Sequence, residues 1–222
     1  MNTVYRILAL FLILGGITLV LAAVFPIASY ELFTAPRFKT HDERLLSPLG
    51  RGSVLSGQVV DLTRASNWFV GAEQVATQTV TPAVRYYTLS IPKLRIEKAT
   101  VDIGGEDLSK SLIHYQGTGL PGRAGNAVVF GHSVLPAFFN PKNYLTIFST
   151  LPTLKAGDEI IADYDGVTYR FVVSEMFEVA PTDIQVLAQP NDGSYLTLIT
   201  CVPPGTYLRR LVVKAKLVPP NT

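Results

Sequence analysis

The sequence predicts a mostly β protein: a closed β-barrel of about eight strands with short helices, preceded by one transmembrane helix. Three observations carry this expectation. One long uncharged apolar run lies near the amino terminus. From Tyr86 onward, short β-branched and aromatic runs alternate with Gly, Pro, Asn and Asp. In about 135 residues these runs leave room for many strands and little helix, a pattern that closes its edges best as a barrel.

Between Ile7 and Tyr30 there is no charged residue. As a helix, about 24 residues at 1.5 Å each reach roughly 36 Å, enough to cross a hydrocarbon core of about 30 Å with some tilt. A cleaved signal peptide has a shorter apolar core and a more basic start than the lone Arg6, so residues 1–30 read as an uncleaved signal anchor. Leu21-Ala22-Ala23 offers small residues where cleavage would occur. No second apolar span precedes Thr222, and a single-pass protein is expected. Counting Arg37, Lys39 and Arg44 against Arg6 would by itself favour a cytoplasmic C-terminal part; the chemistry read below favours the opposite orientation.

Residues 31–85 mix Pro, Gly, Ser, Thr and both charges with little periodicity. They read as a stalk or linker, partly ordered, with Ser47–Gly52 as a turn-rich stretch. Gly57–Val60 and Asn67–Val70 hint at short strands or packing patches. Trp68 and Phe69 have two readings: packing onto the domain, or lying at the lipid interface. Residues 86–222 are expected to form the β-barrel domain. Its expected strands are Tyr87–Ile91, Lys98–Ile103, Ala127–Phe130, Glu159–Tyr164, Thr168–Val173, Glu175–Val179, Tyr195–Ile199 and Leu211–Leu217. Asp165-Gly166 is a hairpin turn signal. Short helices are expected at Asp107–His114 and Tyr144–Leu151.

Hydrophobic residues make up 48% of the chain and the formal net charge is +2. No Lys/Arg stripe is interleaved with aromatics, so nucleic acid is not an expected partner. One cysteine excludes an intramolecular disulfide, and His41, His114 and His132 lie too far apart for a zinc motif. Glu106, Asp107, Asp163 and Asp165 match no dedicated calcium loop. Neither a metal nor a cofactor is expected.

Three segments within the β-rich part concentrate reactive residues at strand ends, where a rigid barrel presents them to solvent. Thr197-Leu198-Ile199-Thr200-Cys201 ends in the sole cysteine and is followed by Val202-Pro203-Pro204-Gly205. Gly125–Gly131 leads into His132. Arg209-Arg210 opens the last strand. A lone cysteine ending a strand is by itself more often a small buried hydrophobe. The turn after it and its two partner segments reverse that reading. His114 reads as structural or groove-lining, and His41 as a solvated stalk residue.

The run TLITC resembles the sortase signature TLxTC. GNAVVFGH resembles the segment ending in that family's catalytic histidine, and RRLVVKA its arginine-bearing final strand. Ser90-Ile91-Pro92-Lys93-Leu94 and Gly117–Gly122 are similar to the strand opening the sortase barrel and to the lead-in to its histidine. The resemblance covers roughly residues 86–217 and implies a cysteine transpeptidase with Cys201 as nucleophile, His132 as acid and an arginine beside them. It also implies an LPxTG-like sorting motif on surface-protein substrates, with an amine acceptor from a cell-wall precursor or a pilin lysine. The domain would then stand outside the cell membrane. Lack of a C-terminal apolar span counts against the pilin-polymerising type.

The chemistry asks for the same groups. A thiolate attacks the peptide carbonyl, an acid protonates the leaving amine, and donors hold the oxyanion. Histidine suits the acid role because its pKa lies near working pH; arginine, permanently charged, serves only as donor. Strand parity chooses the arginine. Thr197, Ile199 and Cys201 share one face of their strand, and Arg210 lies opposite the apolar face of Leu211, Val213, Ala215 and Leu217. If both apolar faces line the barrel, Cys201 and Arg210 share an outer groove, whereas a bulge near the turn would put Arg209 there. Thr197, Ile199 and Thr200 are the candidate substrate-binding residues. Two other functions compete with this reading: a catalytically silent membrane-tethered barrel adaptor, and a transpeptidase acting on peptidoglycan stem peptides. The second lacks the histidine shortly before the cysteine in a Gly-rich loop.

Overall fold

The computed structural model describes residues 3–40, 61, 63–69 and 84–219. Two compact units divide after Phe38. The stretches Ser47–Gly52 and Gly57–Val60, and His41, lie outside the described residues.

The first unit is dominated by helix α1, Thr3–Ser29 (27 residues), which continues through a π turn, Tyr30–Thr34, and a 3₁₀ turn, Ala35–Arg37. Apolar side chains lie exposed all around α1; Leu10, Phe11 and Leu19 are each more than half exposed. A helix apolar on every side needs an apolar solvent. The Thr18 hydroxyl donates to the Leu14 carbonyl at 2.8 Å, which removes its need for water. Among the described residues this is the one helix long and apolar enough to cross a membrane.

The second unit is a closed eight-stranded barrel. Strand β1, Lys39–Thr40, is an added short ribbon. The barrel strands are β2 (Tyr86–Ile91), β3 (Ile96–Ile103), β4 (Leu112–His114), β5 (Gly125–Phe130), β6 (Glu159–Tyr164), β7 (Val167–Val179), β8 (Ser194–Val202) and β9 (Arg209–Leu217). Their order is β7-β6-β2-β3-β4-β5-β8-β9, and β9 pairs back onto β7 to close the ring. Most contacts are antiparallel, but β3 runs parallel to β4 and β5 parallel to β8. The long β7 serves three neighbours: its first half pairs β6, its second half β9 and β1. A register shift between Val173 and Glu175 lets it bend, joining the two runs expected as separate strands. Asp165 and Gly166 both have positive φ (52° and 75°) and form the two-residue turn between β6 and β7.

Two sequence expectations are corrected. Asp107–His114 is not a helix: Asp107 accepts from the Ser109 amide and hydroxyl, forming a local turn. Leu112–His114 then joins the sheet as β4, where Leu112 and Ile113 are fully buried. Tyr144–Leu151 forms turns instead of a helix, followed by a 3₁₀ turn at Leu151–Thr153. Asn143 accepts from the Leu145 amide, and the Thr146 hydroxyl bonds the Asn140 and Asn143 carbonyls. These side-chain bonds compete with a helical ladder.

Along β8 both faces are buried, for different reasons. Leu196 and Leu198 stand opposite Ala215 and Val213 of β9, and all four are inaccessible to solvent. The alternate residues Ile199 and Cys201 join Val128 and Phe130 of β5, Val179 of β7 and Val212 of β9 in a second apolar cluster. A strand buried on both faces loses the polar alternation of a surface strand; TLITC carries no charge, and its two threonine hydroxyls donate within the protein, to Asn126 and Gly131.

His114 sits buried at the end of β4. Its Nδ1 lies 3.0 Å from the Tyr87 hydroxyl and its Nε2 3.1 Å from the Thr118 hydroxyl. The Thr118 hydroxyl donates to the Tyr115 carbonyl at 2.7 Å, so it accepts from a protonated Nε2, leaving Nδ1 to accept from Tyr87. That arrangement fits the neutral imidazole. Burial pushes the pKa of His114 down to about 4. A histidine depressed below its unfolded value of about 6.5 contributes stability that is whole above that value and is lost as pH falls toward 4. The melting temperature of the full chain should therefore drop between pH 7 and pH 5, and His114→Gln should remove much of that drop. A pH-independent melting temperature would refute this role.

Candidate active site

The site forms where β5 and β8 end side by side. Their parallel register sets Phe130 beside Ile199, which brings the residues just beyond β5 level with Cys201. Three hydrogen bonds then tie the two chain ends together. The Gly131 amide donates to the Ile199 carbonyl at 3.2 Å. The Thr200 hydroxyl donates to the Gly131 carbonyl at 2.7 Å, and the Ser133 hydroxyl to the Cys201 carbonyl at 2.6 Å. His132 thus lies between two residues that are each stapled to the cysteine strand. Gly131 has no room for a side chain: a Cβ there would lie 2.5 Å from Phe148.

On the other side of Cys201 stands Arg210. The two are directly opposite in the β8–β9 register, and cross-strand partners present their side chains on one face. Arg209 pairs with Val202 and turns the other way, where its Nε lies 2.6 Å from the carboxylate of the buried Glu178. In this register Arg210, and not Arg209, stands opposite Cys201. Among the described residues Arg210 pairs with no carboxylate. Its Nη1 donates to the Tyr207 carbonyl at 3.2 Å, its Nη2 donates to the Trp68 carbonyl at 3.1 Å, and its Nε is buried without a hydrogen bond.

The three candidate substrate-binding residues divide. Ile199 shares the apolar cluster with Cys201. The buried Thr197 is on that face too, its hydroxyl donating to Asn126 Oδ1 at 2.7 Å. Thr200 falls on the opposite face, inaccessible to solvent and bound to Gly131, so its contact is with the segment carrying His132.

Sequence reasoning left Trp68 open between packing and lipid; the structure packs it over the site. Residues 63–69 are held against the loop before β4. The Ala65 amide donates to the Glu106 carbonyl, the Leu108 amide to the Thr63 carbonyl, and the Ser66 amide and hydroxyl to the Glu106 carboxylate. The fully buried Trp68 ring stacks on Phe130 at 5.4 Å between centroids and tilts over His132 at 5.7 Å. The Arg210 guanidinium lies 5.4 Å from the centre of that ring. Glu106 therefore positions this segment, and Asp107 bridges Arg64 through the backbone. Among the described residues no group of His, Cys, Asp or Glu is arranged to hold a metal ion.

Covered in this way, Cys201 is only 2% exposed. Burial pushes its thiol up to about 11, against a smaller opposing pull from Arg210. Burial likewise lowers His132, against smaller contributions from Asp107 and Asp61. Both shifts disfavour charge. In the covered site the thiol and imidazole are neutral at pH 7, and His132 Nε2 is buried without a hydrogen bond.

The comparisons with known proteins bear on family and fold. The family model of the Sortase domain matches residues 89–218. No curated protein matches the sequence. Among solved structures, a sortase D5 transpeptidase of Clostridium perfringens aligns at 24% identity with a TM-score of 0.53, covering 69% of this chain and 92% of its own. Sortase A of Corynebacterium diphtheriae, a lid mutant, aligns at 27% and 0.54, covering 64% and 74% respectively. The pilus-related sortase C of Group B Streptococcus aligns at 27% and 0.54, covering 64% and 71%. With the barrel closed, its one cysteine at the end of β8 and the family match spanning most of the second unit, the chain belongs to the sortase family of cysteine transpeptidases.

Proposed function

We propose that Cys201 is the nucleophile, His132 the general acid and base, and Arg210 the donor that holds the substrate carbonyl, in cleavage of an LPxTG-like sorting motif. The register pair of Cys201 with a carboxylate-free Arg210 is the observation that carries this reading. The thiolate adds to the carbonyl carbon of the scissile peptide, and the oxyanion forms within reach of the guanidinium. As the C–N bond breaks, the imidazolium gives its proton to the leaving amine. The thioester on Cys201 is then attacked by an acceptor amine from a cell-wall precursor or a pilin. That amine yields a proton to His132, and the thiolate departs. A protonated His132 and a thiolate Cys201 are needed together, and both are disfavoured while Trp68 seals the site.

Residues 63–69 therefore act as a cover that substrate must displace. The Trp68 carbonyl takes from Arg210 the hydrogen bond that a substrate carbonyl would take. The apolar helix α1 anchors the enzyme in the cell membrane, with the barrel outside, where exported substrates and wall precursors meet. Thr197 and Ile199 line the substrate groove. Thr200, together with Ser133, positions the chain around His132.

The catalytic reading is tested in the full chain in detergent with a panel of sorting peptides. Mass spectrometry should show a thioester on Cys201 and none in Cys201→Ala; cleavage by that variant would refute the assignment. Arg210→Ala should lower kcat/KM by about 10²–10³. Arg209→Ala should instead lower the melting temperature, because Glu178 is left buried without its partner, while kcat stays within a few-fold. The reverse outcome would assign the arginine role to Arg209.

The cover makes a separate prediction. Trp68→Ala should speed alkylation of Cys201 at pH 8 by at least about tenfold, since exposing the thiol brings its pKa back toward about 8.5. An unchanged alkylation rate would show that Trp68 does not shield the thiol.

A further inference from the structure

The edge of the barrel where Cys201 lies is bordered by two turns with apolar tips. One follows β5: the 3₁₀ turn Pro136–Phe138 is closed by the Phe138 and Phe139 amides donating to the Leu135 and Pro136 carbonyls. The other joins β8 to β9, where the Thr206 amide and hydroxyl both donate to the Pro203 carbonyl, at 2.9 and 2.8 Å. The two turns touch, since a Cβ on Gly205 would lie 3.2 Å from the Leu135 side chain. The catalytic description above makes no use of either tip.

What the tips present is ill suited to water. Phe138 is 66% exposed, Tyr207 58% and Leu208 64%. Exposed apolar side chains scattered singly need no explanation, but a group of them does. These three stand on adjoining turns that are closed by their own hydrogen bonds, so the backbone holds the side chains outward.

Charge divides along the barrel in the same sense. From Gly131 to Gly157, and again from Val202 to Arg210, there is no carboxylate. The β5–β6 connection carries the exposed Lys142 and Lys155. It meets the β2–β3 hairpin, where Lys93 lies 3.9 Å from Asp158 and both Arg95 and Lys98 are exposed. Asp158 and Glu97 are the carboxylates among these cations. The opposite end of the barrel carries Asp163 and Asp165 by the β6–β7 turn and Asp192 ahead of β8. The reactive edge is thus apolar at its tips and cationic behind them.

Together the two properties select a partner. A soluble polyanion would engage the cations and leave Phe138, Tyr207 and Leu208 wet. An apolar protein face would cover the tips and strip water from the cations. An anionic phospholipid leaflet satisfies both: aromatic and leucine side chains enter the headgroup boundary, and lysines and arginines around them meet its negative charge. Helix α1, long and apolar enough to cross a bilayer, brings such a leaflet within the chain's own reach. A tethered barrel meets that surface at high effective concentration, so a modest contact is well populated.

We infer that the turns of Phe138 and of Tyr207-Leu208 dock on an anionic lipid leaflet and hold the reactive edge of the barrel at the membrane surface. The inference rests on the anchoring by α1 proposed above, and not on the chemistry at Cys201. The test uses the full chain in symmetric vesicles of phosphatidylcholine and phosphatidylglycerol, where either direction of insertion offers the barrel the same leaflet. Trp68→Phe removes the one native tryptophan. Phe138→Trp, Leu208→Trp and, as the control at the opposite end, Val167→Trp are each added singly. Lipids brominated near the headgroup reach a side chain sunk about 5–10 Å into the boundary, so emission from Phe138→Trp and Leu208→Trp should fall at least about twofold. Emission from Val167→Trp should stay unchanged. Adding Lys142→Gln/Lys155→Gln to Leu208→Trp should lower the docked-to-free ratio about fivefold per charge removed, and make no difference on phosphatidylcholine alone. Each variant is compared in melting temperature with its Trp68→Phe parent, and Tyr207→Trp takes the place of a rim variant that does not match. Equal quenching at all three positions would overturn the docking. Unquenched emission from both rim positions would overturn it too, and would assign the rim to a protein partner. Flotation with the vesicles after an alkaline wash separates this from the anchor: a chain that floats unquenched overturns the docking alone, and a chain that washes off overturns the anchor and the docking with it.

Discussion

The parallel pairing of β5 with β8 governs the rest of the site. A parallel pair delivers two strand ends to the same edge of the barrel, so the residues leaving β5 and the last residues of β8 meet there without any long loop having to be ordered. Polar side chains then lock what the pairing brings together. Thr200 and Ser133 each spend a hydroxyl on the opposite chain, one on either side of His132. Such bonds in a buried setting are worth more for their geometry than for their net stability, since both partners would have been solvated in the unfolded chain. The antiparallel β8–β9 register adds the third group by placing Arg210 opposite Cys201.

That construction has a cost in reactivity. Cys201 belongs to an apolar cluster, and Trp68 and Phe69 complete the cluster from outside. Burial holds the thiol and the imidazole neutral, and the guanidinium donates to backbone carbonyls instead of a carboxylate. A carboxylate there would cancel the charge on Arg210 permanently; in the proposed mechanism the Trp68 carbonyl masks it reversibly. In the proposed mechanism a substrate competes with the aromatic stack of Trp68 on Phe130.

Much of the fold was legible because its signals are local. Strand runs bounded by Gly and Pro, the Asp165-Gly166 turn and the uncharged apolar helix all report their own conformation. The misreadings have a common cause. Asp107–His114 and Tyr144–Leu151 carry no strong period, and side-chain hydrogen bonds and sheet pairing decided them. The strand β4 is only three residues long, too short for any periodicity to show.

By itself the sequence determined that there is one thiol, that it ends an apolar strand before a Pro-Pro turn, and that Arg210 alternates with the apolar residues of the last strand. Those properties depend on residue identity and on the two-residue period of a strand, which are local. Only the tertiary structure decided that Trp68 covers the site, that Thr200 and Ser133 clasp the segment of His132, and that the turns of Leu135 and Gly205 meet beside it. Each of these joins residues about 60 or more positions apart along the chain. Such contacts exist only once the barrel has closed, and no local period records them.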